Sequence, residues 1–494
     1  PMNIPLTYFL SRASGRPVRV IMDSVAELTA ANPRHPAWIT IKTGVKHDGT
    51  LVARQVKVVF ASGAYAGFKP ISGARLVPAL RHTAGVYRAP HFKYEVLTVY
   101  TNTVPCGHMR APGGPQVAFA CETDLDRIAE AIGLDPLAFR LRNAVDEGET
   151  TPLGFTWKSV RLRECLDEAK RVSDWGSPKP AYVGRGVAAC EEPAGGGGSE
   201  SLVQVHRDGT ASVVTAVNDQ GSGAHTILVQ IAASELQLPI DRVRLEFVGT
   251  EREIWDRGSS AQSVTRMAGQ ATLQAAAEVR AKLAATAAEY FLGCPESQVQ
   301  LVDGAFRDPD QPGLVASFDA VAARACRDGQ PVSGTHRYMD WEPTDATSFI
   351  AQVAEVEVDP ETGQVRVRKV VSVSDVGTVL NPIGVTGQIE GAMVQGLGMA
   401  VMEELRQVQG RIETVGLHDY KMPVMPDVPQ HLSVLITSGA GDGPYGAKAV
   451  AELALLPLPA AIANAVYDAV GVRMTDLPVT AEKVYRALTH RPNH

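Results

Sequence analysis

Glycine-rich segments at the junctions between elements constrain this chain more than any single helix or strand. The one richest in chemistry is Gly441-Asp442-Gly443-Pro444-Tyr445-Gly446-Ala447-Lys448-Ala449-Val450-Ala451-Glu452, which runs into Leu453-Ala454-Leu455-Leu456-Pro457. A flexible loop here delivers one carboxylate, Glu452, into a run of Ala, Val and Leu. Taking a carboxylate out of water disfavours its charged form and raises its pKa, which suits a general base. A carboxylate is also favoured in the first turn of a helix, where the helix dipole stabilises negative charge. The stretch alone leaves both readings open. It is not a P-loop: Ala447 interrupts the Gly-Lys pair and Ala449 replaces the Ser or Thr that would hold magnesium.

Four more such segments lie upstream. Cys106–Gln116 crowds Gly and Pro between a strand and a helix, where backbone N–H groups can meet an anion or can simply form a turn. Asn218–Thr226 lies at another strand-to-helix junction and serves equally as a phosphate cradle or an N-cap. Arg257–Thr265 clusters hydroxyls at a helix start, able to bind phosphate oxygens or to cap. Gly387–Gly398 puts several glycines inside a helical pattern, which points to close approach of a ligand or of another backbone.

The rest of the chain sets the frame. At roughly 150 residues per domain, 494 residues imply two to four domains. A net charge of −7 argues against a nucleic-acid binder, and no apolar run spans a bilayer. The six cysteines form no Cys-x-x-Cys pair, so this chain carries no iron–sulfur or zinc ligand set, and buried free thiols in a reducing cytoplasm are expected. His47, His82, His91 and His206 lack ligand spacing and read as surface residues.

Periodicity predicts helices at 5–14, 116–132, from 136, at 225–236, 264–292, 383–404, 458–471 and 480–488. It predicts strands at 18–22, 39–42, 51–60, 95–104, 201–206, 211–217 and 242–248. Hairpins turn at Asp48-Gly49, Asp303-Gly304 and Asp359–Gly363. Strands and helices alternate irregularly, so the class is α+β. The Pro- and Gly-rich stretch 171–186 divides the chain into 1–172 and 173–494.

In this order, the five segments resemble the molybdenum-cofactor subunit of the xanthine dehydrogenase / aldehyde oxidase family over nearly the whole chain. Arg110–Gln116 is similar to that family's R-G-F-G-G-P-Q loop, with Leu141-Arg142-Asn143 closing the helix behind it. Gly221–Thr226 resembles G-Q-G-x-x-T, Gln388–Gly398 resembles Q-x-E-G-x-x-x-Q-G-x-G, and Gly446–Glu452 resembles the K-x-V-G-E segment. The tail from Pro459 through Thr480 resembles the family's closing helices.

The resemblance implies a two-domain cofactor-binding fold and a molybdenum-dependent hydroxylase or dehydrogenase. Such an enzyme puts water-derived oxygen into an N-heteroaromatic or aldehyde substrate, with Glu452 as the base. It implies molybdopterin, in the cytosine dinucleotide form, with molybdenum held through the pterin and not by side chains. The cofactor-lining positions would be Arg110, Ala111, Gln220, Gly221, Ser222, Gly223, Ser260, Ser263, Thr265, Gln388, Gln395, Lys448, Ala449 and Val450. [2Fe–2S] and FAD centres would sit on partner subunits. The family's G-G-G-F-G-G-K loop is expected before Pro1, so either a further chain of a split molybdenum subunit would carry it or this chain is a processed fragment of a longer one.

The departures are informative. Ser222 replaces a common Gln and Ala451 a Gly. Pro112 stands where purine-oxidising members carry Phe, and their substrate-orienting Arg falls on Pro78, with Arg75 and Arg81 nearby. Ala111 stands where carbon monoxide dehydrogenases carry a copper-binding Cys. Glu191 and Glu192 are expected to face the substrate pocket and to favour a cationic or N–H-bearing substrate. The competing readings are a catalytically silent assembly subunit and an unrelated nucleotide binder without redox chemistry.

Overall fold

The computed structural model describes residues 3–65, 77–249 and 251–490; Arg75 and the side chain of Pro78 lie outside them. The architecture is α+β, organised on two four-stranded sheets. In the central one, Val365–Asp375 runs parallel to Gln430–Ile436 and antiparallel to Ser348–Val358, which pairs antiparallel with Val183–Glu192. Alternate residues point to opposite faces of a strand, and both faces of this sheet are covered. Val187, Ala189, Ala351 and Val353 face Leu125, Leu162, Leu166 and Trp157. Ala188, Ala354 and Val356 face Met393, Leu397 and Leu458–Val466.

The glycines of Gly184-Arg185-Gly186, read in the sequence as part of a linker, begin the strand Val183–Glu192. A Cβ at Gly184 would sit 2.1 Å from Ala465 O, and one at Gly186 would sit 2.2 Å from Ala461 O. The helix Leu458–Val470 lies directly on the strand backbone, and only glycine leaves room for it. This helix belongs to the segment Leu453–Val470, which has the length and composition to cross a membrane. Its residues are 78% buried inside the protein, so its apolarity serves the core.

The second sheet runs Val332–Asp340, Gly197–Val205, Ala211–Thr215, Val243–Phe247. It packs against helices Ala224–Leu236 and Val264–Ala287. Alanines 268, 275, 276 and 287 are buried there, and their small side chains admit close helix–sheet contact. A three-stranded sheet of Ala37–Val45, Leu51–Ala61 and His91–Val99 stands beside helix Gly114–Ala131. Helix Leu162–Val172 packs on strands Ser348–Val358 and Val365–Asp375, so the N-terminal and C-terminal parts share one core.

Most expected elements form near their expected bounds, and two differ. Residues 18–22 form no strand; they are partly exposed and have no strand to pair with. The strand expected at 95–104 is His91–Val99, because its parallel register with Leu51–Ala61 starts at Ala53 opposite His91. The sequence pattern does not mark helices Ser24–Ala30, Val77–Ala84, Leu162–Val172 and Phe318–Ala325 or strands Val332–Asp340 and Gln430–Ile436.

Candidate functional site

Four of the five glycine-rich segments converge around Glu452, and the Asn218–Thr226 segment joins them through Gln220 and Ser259. The stretch ending in Glu452 is tied to the end of strand Val365–Asp375: Thr378 N–H donates to Gly446 O at 3.0 Å, and Lys448 N–H donates to Val376 O at 3.0 Å. Below this tether, Lys448 Nζ pairs with Asp375 Oδ2 at 2.6 Å and donates to Ser159 O at 2.7 Å, with both side chains fully buried. Burial lowers the Lys448 pKa, and Asp375 partly restores it. The Lys448 ammonium is therefore committed to the core; Ala449 O accepts from the Ser348 hydroxyl, and Val450 packs near Leu453–Leu456.

Glu452 precedes a single 3-10 turn, Leu453–Leu455, and its side chain does not cap it. Instead Ala111 N–H donates to Glu452 Oε1 at 2.9 Å. The Arg110 guanidinium reaches Ala451 O, Gln388 O at 3.2 Å and Gln388 Oε1 at 3.0 Å. Glu452 N–H donates to Gln262 Oε1 at 3.0 Å, and Gln262 Nε2 donates to Pro193 O at 3.1 Å. The carboxylate and backbone of Glu452, with Arg110, thus tie together the first, third, fourth and fifth segments.

Burial raises the Glu452 pKa to about 7, and the nearby Glu192 charge adds to the rise; Ala111 N–H, Arg110 and Arg34 oppose it. The local backbone is strained. Ala111, Ala261, Gln262 and Tyr445 have φ of 54°, 48°, 44° and 55°, values that side-chain-bearing residues adopt only when the surroundings impose them.

The second segment closes on itself. The Asp219 carboxylate accepts from the N–H groups of Gly221 at 2.8 Å, Gly223 at 3.2 Å and His225 at 3.3 Å. Burial pushes its pKa up, but these three donors outweigh that and hold it low. Gln220 Nε2 donates to Ser259 O at 3.1 Å, joining the second and third segments. The exposed rim there is formed by Gln220, Gly221, Ser222 and Ser260. Ser263 is buried and donates to Ser260 O at 2.8 Å; Thr265 is partly buried in the first turn of the helix that follows.

Along helix Pro382–Val401, Gly387, Gly391 and Gln395 recur every four residues on one face. A Cβ at Gly387 or Gly391 would meet nothing within 4 Å, whereas one at Gly396 would press on Leu458 at 3.2 Å. The helix therefore uses glycine both for an open face and for packing.

Glu191 and Glu192 end strand Val183–Glu192, and both are buried and paired. Arg81 Nε donates to Glu191 Oε1 at 2.9 Å, and Thr347 Oγ1 donates to Glu191 Oε2 at 2.5 Å. The Arg81 guanidinium lies 3.8 Å over the Phe155 ring. His82 Nε2 stands 2.8 Å from Glu192 Oε2. His82, expected at the surface, is 4% exposed. Burial works against its protonation, but the contact with Glu192 outweighs this and raises its pKa. Pro112 sits partly buried after the strained Ala111.

Residues 2–144 and 161–429 each match the molybdopterin cofactor-binding domain family. The chain belongs to the molybdopterin cofactor-binding subunits of the xanthine dehydrogenase family. It is 31% identical to a putative xanthine dehydrogenase molybdenum-binding subunit of Escherichia coli (strain K12), over 97% of this chain and 66% of that protein. It is 30% identical to a probable xanthine dehydrogenase subunit of Bacillus subtilis (strain 168), over 99% and 67%. The chain thus spans about two thirds of the length of these relatives. In fold it matches quinoline 2-oxidoreductase from Pseudomonas putida 86 with a TM-score of 0.90 at 26% identity, covering 99% of this chain and 66% of that one.

The residues fit the cofactor that defines the family. A cavity of about 1030 Å³ lies beside the Glu452 cluster, with Arg34, His35, Met109, Gln116 and Gln395 among its lining residues. His35 Nε2, Gln116 Oε1 and Gln395 Oε1 are buried and have no protein partner among the described residues. Unpaired buried polar atoms are costly, and a polar heterocycle rich in N–H groups would satisfy them. Among the described residues no cluster of three His, Cys, Asp or Glu side chains could hold a metal directly.

Three members of the site carried no signal of their own in the sequence. Arg34 and His82 sit in ordinary local contexts, and Gln262, which meets Glu452 from a left-handed backbone, stands among the hydroxyls that mark its segment.

Proposed function

We propose that this chain is the molybdenum subunit of a hydroxylase acting on an N-heteroaromatic or aldehyde carbon, with Glu452 as general base. The observation that carries the reading is the buried carboxylate poised near neutrality and fixed by Ala111 N–H, close to a cavity lined by Arg34, Gln116 and Gln395. When bound, the molybdenum cofactor supplies the water-derived oxygen and takes up two electrons from the substrate. Glu452 removes the proton from the attacking hydroxyl, and its raised pKa matches that task at neutral pH. Ala111 N–H holds Oε1, which leaves Oε2 to face the reacting group. Arg110 fixes the Ala451 peptide behind the carboxylate, and Gln388 fixes Arg110. Gln395, Gly387 and Gly391 line the pterin, and the rim from Gln220 to Gly223 with Ser260 takes its phosphate-bearing tail, in the cytosine dinucleotide form.

The loop amides of Gly221, Gly223 and His225 are already satisfied by Asp219, so that tail is held by side chains and the remaining donors. Glu191 and Glu192 act as a largely neutralised wall: Arg81 balances Glu191, and His82 pairs with Glu192, whose charge still acts on Glu452. This wall suits an uncharged ring or aldehyde better than a cation. The relatives' names, xanthine dehydrogenase and quinoline 2-oxidoreductase, support an N-heteroaromatic ring. Their description as subunits supports partner chains, to which the [2Fe–2S] and FAD centres are assigned. Six unpaired cysteines support a reducing, cytoplasmic setting.

Metal and pterin analysis of the purified complex tests the reading, with quinoline and benzaldehyde as probe substrates. Molybdenum, a pterin dinucleotide and oxidation of either probe are expected. A complex without molybdenum would leave the assembly-subunit alternative in its place.

A further inference from the structure

We propose that Arg34 is a positioning residue for Glu452: its guanidinium, forked onto the carbonyls of Arg110 and Ala111, holds the turn that fixes the carboxylate. Arg34 Nη2 donates to Arg110 O at 2.8 Å and Nη1 to Ala111 O at 3.3 Å. From the same two residues, the Arg110 side chain reaches Ala451 O and Ala111 N–H reaches Glu452 Oε1. The chain of contact is therefore short: Arg34 to the carbonyl side of the turn, and the turn's donor side to Glu452.

Arg34 is itself aimed by a row of contacts between residues 32–36 and 105–116. Asn32 Nδ2 donates to Pro105 O at 2.8 Å, Gly107 N–H to Pro33 O at 2.9 Å, and Gln116 Nε2 to His35 O at 2.9 Å. Pro33 and Pro36 flank it and restrict the backbone of this short segment.

The geometry explains why the turn needs help. Ala111 has φ of 54°, and its carbonyl already accepts from Gly114 N–H at 3.1 Å. Arg34 supplies the second donor to that oxygen and a first to the neighbouring one, a two-pronged grip that the planar guanidinium offers and an ammonium does not. Arg34 also places a positive charge near Glu452. The charged groups facing Glu452 are Glu192, Arg110 and Arg34; the titratable groups facing Arg34 are Glu452, Glu403, Tyr420 and His35. Tyr420 O–H donates to Glu403 Oε2 at 2.6 Å, which keeps that carboxyl beside Arg34 in the same cavity.

This inference rests on Glu452 being the base, and its test uses neither molybdenum nor turnover. The full chain, with whatever chains accompany it, is titrated by infrared spectroscopy; the Glu452 band is the one absent from Glu452→Gln. Hydrogen exchange of the Ala111 amide is followed in parallel. In Arg34→Gln the Glu452 midpoint should rise by about one pH unit, because a nearby positive charge is lost. Ala111 should exchange at least about tenfold faster as the turn opens. Guanidinium ion added to Arg34→Ala should reverse both changes. An unchanged midpoint and an equally protected Ala111 amide in folded Arg34→Gln would overturn the proposal.

Should Arg34→Gln fail to fold, Arg34→Lys decides. With charge kept and fork lost, the midpoint should hold while Ala111 exchange accelerates; full protection refutes the role. Failure of this test leaves Glu452 as the proposed base, whereas retained turnover in Glu452→Gln would remove that base and leave the Arg34 measurement standing.

Discussion

Replacing Glu452 by Gln should stabilise the protein at high pH while abolishing its activity. Burial, with Glu192 adding to it, lifts the Glu452 carboxyl from an ordinary 4.5 to about 7. The folded protein therefore binds a proton more tightly than the unfolded chain, and stability falls as pH rises between those two values. At about 1.4 kcal/mol per pH unit, the full loss is about 3 kcal/mol above pH 8. Gln resembles the protonated carboxyl and escapes the penalty while still accepting from Ala111 N–H. For 494 residues the unfolding entropy is about 1 kcal/mol per kelvin, so the gain corresponds to about 3 °C in Tm. Calorimetry of the complex at intervals from pH 5 to 8.5 reads the difference directly. It should be near zero at pH 5 and grow through pH 7 in favour of Glu452→Gln. A difference that is flat with pH, or that favours the wild type at pH 8, refutes the claim that Glu452 is forced to ionise against its environment.

In the wild type, kcat/KM should climb as pH passes through about 7, where Glu452 loses its proton. Glu192→Gln removes the neighbouring negative charge and should move that rise to lower pH; a rise that stays in place would separate Glu192 from the base. Lys448→Met leaves Asp375 buried and unpaired and should cost about 3–5 kcal/mol. Much of this should be recovered in a Lys448→Met/Asp375→Leu double variant, read by denaturant midpoint. Gly391→Ala meets open space and should leave Tm unchanged or slightly higher, since Ala suits a helix better by about 1 kcal/mol. If that face carries the pterin, the pterin content of the purified complex should nevertheless drop. Gly184→Ala, which drives a Cβ into Ala465 O, should yield little folded protein in a solubility assay.

The chemistry-bearing loops were legible in the sequence because they depend on residue type and spacing. Glycines at strand-to-helix junctions, a hydroxyl cluster and a lone carboxylate in an apolar run keep their meaning without tertiary context. The α+β class followed from periodicity, as did helices with clear caps, such as the one opened by Asp135, whose side chain accepts from Ala138 N–H at 2.8 Å.

What the sequence hid depends on contacts across long separations. Strand Gln430–Ile436 exists as a parallel partner of Val365–Asp375, and no local pattern marks such a partner. The glycines at 184 and 186 looked like a linker until a helix from far along the chain lay on them. Lys448 read as a cofactor contact because its motif is local, but its ammonium turns inward to Asp375. His82 read as surface because nothing nearby in sequence neutralises it, whereas Glu192 does so in space. The sequence by itself determined which groups are available: the carboxylate, the loops and the family to which they belong. Only the tertiary structure decided how they work, because a carboxylate's proton affinity is set by burial and by charges from Arg34, Arg110 and Glu192, and those neighbours are assembled by folding rather than by adjacency in the chain.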